Sequence, residues 1–190
     1  MSANLTLKPL SIALLAACIT ACSSYSPTPS AAKPSASQNN EDWYQVRTEE
    51  KLFLFDEYKV YRDFLVSGDA PYLKDLGEKD KWGQSIVLAL RAEDAGKPLD
   101  EIAAYRFLRQ SQPPAEKFYG EVRQEGIIFV GQRYGEMVEL NNVGEPIFRH
   151  TEIASGPKGE RVVYLMQKEE KKPEALIKQF QKNYGITPAS

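Results

Sequence analysis

Pro113-Pro114 splits the chain into two stretches whose apolar residues recur at different intervals, and this change constrains the fold more than any other feature. Before it the spacing is helical: Leu54, Tyr58, Tyr61 and Leu65 repeat at intervals of four, three and four. The pattern predicts a helix over 41–66, capped by Asn40 and stopped by Gly68 and Pro71. Lys51–Phe55 and Tyr58–Val66 also read as two strands around Asp56-Glu57, because aromatic residues favour strands. Asp69–Trp82 is polar and reads as a loop with a turn of helix. Gln84–Asp94 reads as a helix closed by Gly96, and Pro98–Arg109 as a second, largely buried one.

After the proline pair come short apolar runs between turn residues. Phe118–Arg123, Ile127–Arg133, Met137–Leu140, Pro146–Ile153 and Arg161–Gln167 are the candidate strands. Ile127-Ile128-Phe129-Val130 lacks alternation, which predicts a central strand covered on both faces. Leu176, Ile177, Phe180 and Tyr184 share one side of a closing helix over Pro173–Tyr184. Connections this short favour antiparallel neighbours. The expected fold class is therefore α+β: N-terminal helices packed on one face of a C-terminal antiparallel meander of four to five strands, with a C-terminal helix. Residues 41–190 read as one globular domain, and no internal repeat is apparent.

The start of the chain carries an address. One charge, Lys8, precedes the apolar run Pro9–Ala21. That run is shorter than the roughly 20 residues of a membrane span and fits the core of a secretory signal. It ends in Ile19-Thr20-Ala21-Cys22, which resembles the lipobox of bacterial lipoproteins: an aliphatic residue, two small ones, then Cys. The resemblance implies cleavage of a 1–21 signal peptide and lipidation of Cys22. Leu15-Ala16-Ala17-Cys18 fits the same pattern, but cutting there leaves an apolar core of about seven residues, at the lower limit for a signal. The residue after Cys22 is Ser23 and not Asp, which in enterobacterial lipoproteins implies the outer membrane. Several acyl chains give the stable anchoring that one chain cannot. Residues 22–40 follow as a Ser- and Pro-rich tether whose only charge is Lys33; about 18 flexible residues span roughly 25 Å.

The remaining residues point away from catalysis. The 24 Lys and Arg against 26 Asp and Glu exclude the basic character of most nucleic-acid binders. Cys18 and Cys22 are the only cysteines, so the mature domain has no disulfide and no thiolate. The single histidine, His150, is too few for a His-based zinc site and lacks a Gly-x-Ser-x-Gly nucleophile to serve. Adjacent carboxylates such as Glu49-Glu50 and Asp100-Glu101 point apart on a helix and form a solvated face. No catalytic residue, metal or cofactor is expected. Aromatics are the unusual resource, with ten Tyr and two Trp, and such side chains are enriched at interfaces and in ligand clefts. Trp43 and Tyr44 just after the tether, and Tyr72 and Trp82 around the polar loop, are the candidate binding residues. The expected function is a non-enzymatic, periplasm-facing lipoprotein of the outer membrane that holds or helps assemble an envelope protein. The competing expectation is a module that binds a lipid, glycan or peptidoglycan fragment.

Overall fold

The computed structural model describes residues 39–187. The residues read as a signal, both cysteines and most of the expected tether lie outside them. Eight strands form a single sheet: β1 (Asp42–Arg47), β2 (Lys51–Phe55), β3 (Tyr72–Lys79), β4 (Ser85–Leu90), β5 (Tyr119–Gln124), β6 (Ile127–Gly131), β7 (Arg149–Glu152) and β8 (Arg161–Leu165). Four helices cover it: α1 (Tyr58–Ser67), α2 (Ala103–Leu108), α3 (Tyr134–Val143) and α4 (Glu174–Tyr184). The strand order is β3-β4-β2-β1-β5-β6-β8-β7. Three neighbouring pairs, β2–β4, β1–β5 and β6–β8, are parallel, and the rest are antiparallel.

This corrects the expected meander. The sheet is mixed, it runs through both stretches of the chain, and helices pack on both of its faces. One core holds Leu52, Leu54, Ile86 and Leu88 under Phe107 of α2 and Met137 of α3. The other holds Phe53, Phe55, Val87 and Ile128 under Tyr61 of α1 and Phe180 of α4. Burial on both sides explains the misreading, because strands covered twice lose the alternation that marks a half-exposed strand. Leu52-Phe53-Leu54-Phe55 and Ile86–Leu90 are such runs, and their neighbours in sequence completed a false helical stripe. The polar loop of the sequence reading is the edge strand β3, whose residues alternate between half-buried and exposed. Met137–Leu140, read as a strand, belongs to α3, where the Glu136 carboxylate accepts the backbone N–H groups of Gln132 and Arg133 at 3.0 and 3.1 Å and satisfies the helix start.

The chain is also an internal duplication. Each half runs strand, strand, helix, strand, strand, helix, and the strand pairings among β1 to β4 recur among β5 to β8 at an offset of 76 residues. Helix α1 begins at Tyr58 and α3 at Tyr134; both span ten residues and end on a left-handed glycine, Gly68 and Gly144. Lys51 pairs with Ser85 in β2–β4, and Ile127 pairs with Arg161 in β6–β8. The helix ends match too: Tyr58 Oη donates to Asn183 O at 2.8 Å, and Tyr134 Oη to Phe107 O at 2.6 Å.

Strands β1 and β5 lie side by side and parallel, with Tyr44 opposite Glu121. A rotation about an axis along these strands relates the halves and exchanges the two faces. Each residue and its counterpart therefore sit in opposite cores, as Leu52 and Ile128 do.

Candidate functional site

The duplication brings one kind of side-chain cluster to each face, and the two copies differ. In the second half, Glu121 projects from β5 into the core and is fully buried. Three phenols donate to its carboxylate: Tyr61 at 2.8 Å, Tyr119 at 2.6 Å and Tyr184 at 2.6 Å. Arg123, two residues on and on the same face, donates to Tyr61 Oη at 2.9 Å, to Glu160 at 2.8 Å and to Tyr184 Oη at 3.1 Å. Burial, with the Glu121 charge beside them, pushes the Tyr61 and Tyr119 phenols far above their ordinary range, so both remain hydrogen-bond donors. Burial alone would raise Glu160, yet the Lys158 backbone N–H and Arg123 hold its carboxyl below the usual range. Every charged atom of this copy has a partner from its own chain, and Arg62 closes it by lying 4.3 Å over the Tyr184 ring.

The first-half copy is incomplete. Its strand residues are Gln45 and Arg47, at the positions of Glu121 and Arg123. The three tyrosines are replaced, in the order Tyr61, Tyr119, Tyr184, by Met137, Trp43 and Leu108. Gln45 is fully buried, and neither end of its amide has a hydrogen-bond partner. Trp43 Nε1 is likewise buried without one. Gln84 stands where Glu160 does, and Arg47 finds its acid at another position: Nη1 donates to Asp80 and to Gln84, both at 2.6 Å, and Nη2 to Asn141 at 3.1 Å. The closing arginine is replaced by Val138. Leu108 and Val138, standing where the other half has Tyr184 and Arg62, line a cleft of about 210 Å³. Arg47, Trp43, Phe107, Lys81 and Asn142 line it as well.

A second, wider cleft of about 890 Å³ opens on the opposite face. Tyr44, Tyr58, Tyr119 and Asp42 line it. Tyr44 Oη donates to Asp42 Oδ2 at 2.8 Å. Burial, against that hydrogen bond, pushes the Asp42 carboxyl up to about 6.

The four aromatic residues singled out from sequence go to different places. Trp43 is buried, stacked on Phe107 at 5.6 Å, and lines the smaller cleft. Tyr44 faces the other way, stacked on Tyr61 at 4.7 Å, on the wall of the wider cleft. Tyr72 is half-buried at the start of the edge strand. Trp82 stands in the β3–β4 turn, 53% exposed, directly after Asp80 and Lys81 of the smaller cleft. Its ring sits over Gly144, and Lys81 Nζ lies 4.5 Å above it. Trp43 therefore lines the smaller cleft and Trp82 directly follows two of its lining residues, while Tyr44 and Tyr72 are not part of it. His150 lies on edge strand β7 and stacks on Tyr164.

The polar residues of the two clusters escaped the sequence reading. Their signal was the short echo of Gln45-Val46-Arg47 in Glu121-Val122-Arg123, each opening a hairpin. Among the described residues, no group of three or more His, Asp or Glu side chains is placed to hold a metal ion. Comparison of the chain with protein-family models, with curated proteins and with solved structures finds no match.

Proposed function

We propose that this chain is a lipid-anchored lipoprotein of the outer membrane, facing the periplasm, whose domain holds an envelope protein partner and performs no chemistry of its own. The lipobox at Cys22 and the tether support the anchor. The observation that carries the partner reading is the apolar surface around Gly144. Trp82, seated on that glycine, is 53% exposed, Val143 beside it is 50% exposed, and Ile147 three residues on is 66% exposed. Large apolar side chains gathered in one place mark interaction sites more often than scattered single ones do. An aromatic anchor on a rigid turn is the usual centre of such a site.

The test is crosslinking and co-purification from solubilised envelopes, with Cys22→Ser as the mislocalised control and Trp82→Ala as the surface variant. A stoichiometric protein partner captured by the lipidated chain and lost with Trp82→Ala is the expected result. Equal capture with Trp82→Ala removes this surface from the reading. The alternative is a small-ligand module, and the cleft of about 210 Å³ beside Arg47, walled by Trp43 and Phe107, favours it specifically.

A further inference from the structure

We infer that the wide cleft lined by Asp42 and Tyr58 binds a primary ammonium group, whose N–H groups donate to the Asp42 carboxylate while its alkyl stem lies along the tyrosine side chains. The inference stands whether or not a partner protein docks around Trp82. It begins with one place compared in the two halves. Around Tyr134, Phe107 and Phe118 close into an apolar cluster, with ring centroids 5.1 to 6.0 Å apart. Around Tyr58, the counterpart of Tyr134, the positions of Phe118 and Phe107 hold Asp42 and Asn183. Tyr58, Asp42 and Asn183 all line the cleft of about 890 Å³. Where one half packs a ring against a ring, the other presents a carboxylate to an open space.

That carboxylate lacks a cation. Asp42 Oδ2 accepts from Tyr44 Oη at 2.8 Å. Asp42 is half-buried; its Oδ1 receives no hydrogen bond from the described residues and is not among their sealed polar atoms. Glu41 and Glu116 line the same cleft against one basic residue, Lys117, and among the described residues none of the three carboxylates forms an ion pair. The charged neighbours that act most on Asp42 are all acids, Glu57, Asp56 and Glu41, and they add to burial in holding its carboxyl up at about 6. Tyr44 lies between two further tyrosines of the cleft, tilted 45° to Tyr58 at 5.5 Å and 53° to Tyr119 at 6.2 Å. Aromatic rings beside a carboxylate favour an organic cation. Among the described residues no group of three or more acids is placed to hold a metal ion. A guanidinium fork prefers both oxygens of a carboxylate, and Tyr44 already occupies one of them. An ammonium is a point charge that one free oxygen can hold.

The ammonium has two sources, a lysine side chain of a polypeptide or a free alkylamine. The experiment titrates the full chain at constant ionic strength and follows the backbone N–H resonances of Asp42 and Tyr58 by NMR. The probes are N-acetyllysinamide, its Nζ-acetylated form, N-acetylargininamide and butylammonium. The expected result is saturable binding of N-acetyllysinamide or butylammonium at pH 7, weakened about tenfold or more by Asp42→Asn, the contribution of about one hydrogen bond to a charged group. The same probe should bind the unaltered chain about tenfold more weakly at pH 5, where only about a tenth of Asp42 is ionised. Glu116 and Lys117 border the cleft from the connector, Tyr44 and Tyr58 remain neutral over this range, and α4 presents only the uncharged Gln179 and Asn183 there. Tighter binding of N-acetyllysinamide than of butylammonium assigns the site to a polypeptide lysine; the reverse order assigns it to a free amine. No saturable shift with either amine, equal binding of the Nζ-acetylated or arginine probe, undiminished binding to the Asp42→Asn chain, or equal affinity at pH 5 and pH 7 overturns the inference.

Discussion

Tyr184 and Leu108 occupy the same point in the two halves of the molecule, and only Tyr184 extends a hydroxyl to the buried strand residue beneath it, Glu121, at 2.6 Å. The two halves should therefore answer the same kind of substitution with opposite signs.

In the filled copy, Tyr61→Phe removes one of three donors to Glu121 and the acceptor of Arg123 Nε. Both groups stay buried, so the loss includes their desolvation. The expected cost is about 1–3 kcal/mol, read as a lower urea midpoint at unchanged slope.

In the open copy, Gln45→Leu removes a buried amide that has no partner and replaces it with an apolar side chain of similar size. The expected result is stability unchanged or raised by about 1 kcal/mol. A clear loss in the same urea titration would mean that Gln45 is paired in solution.

Asp42 sets a pH dependence. Its carboxyl is held near 6 in the folded chain, against an ordinary value near 3.8, because burial disfavours the charged form. The folded state thus binds more protons than the unfolded state between those values. Its contribution is fully present below about pH 4 and is lost as pH rises through about 6. Glu160 and Glu170 are held low and give the opposite slope at acid pH, so the quantity to measure is the difference between wild type and Asp42→Asn. Wild type should lose roughly 2 kcal/mol relative to the variant between pH 4 and 7. A pH-independent difference would refute the assignment.

Gly144 should tolerate no side chain. Its φ is +91°, and an added Cβ would stand 3.1 Å from the Trp82 ring. Gly144→Ala is expected to cost about 1 kcal/mol or more. Trp82→Ala, at an exposed ring, should change stability by less than about 0.5 kcal/mol. Thermal unfolding of the two variants distinguishes them.

The sequence was legible where one physical signal acted alone. Ile127–Val130 reads as a strand covered on both faces, and β6 lies between β5 and β8 with Ile128 and Phe129 in opposite cores. Helix α4 reads correctly because Leu176, Ile177 and Phe180 form one stripe and Gly185 stops it. The first half misled because Leu54 of β2 and Tyr58, Tyr61 and Leu65 of α1 share a spacing by accident of the tight turn at Asp56. The duplication was hidden because the halves exchange faces. Counterparts keep their backbone role but meet different neighbours, so Tyr61 answers to Met137 and Glu121 to Gln45. What survives in the sequence is mostly what the backbone or a strand-end ion pair demands: Gly68 and Gly144, Arg47 and Arg123. Of the site, Trp43 and Trp82 were visible as aromatics. Gln45 was not, because a buried amide without a partner has no signature in one dimension.

The duplication has a mechanical consequence. Apart from the β1–β5 ladder, every strand pair among the described residues joins residues of the same half, so that among them one parallel seam is the only line of sheet hydrogen bonds between the halves. The connector between α2 and β5, residues 109–118, contributes no strand to the sheet. A proteolytic nick there would sever the chain without breaking a single inter-strand bond. The two fragments, each with its own hairpins and helices, are natural candidates for reassembly from separate polypeptides, with Trp43, Phe107 and Tyr134 closing the joint from both sides.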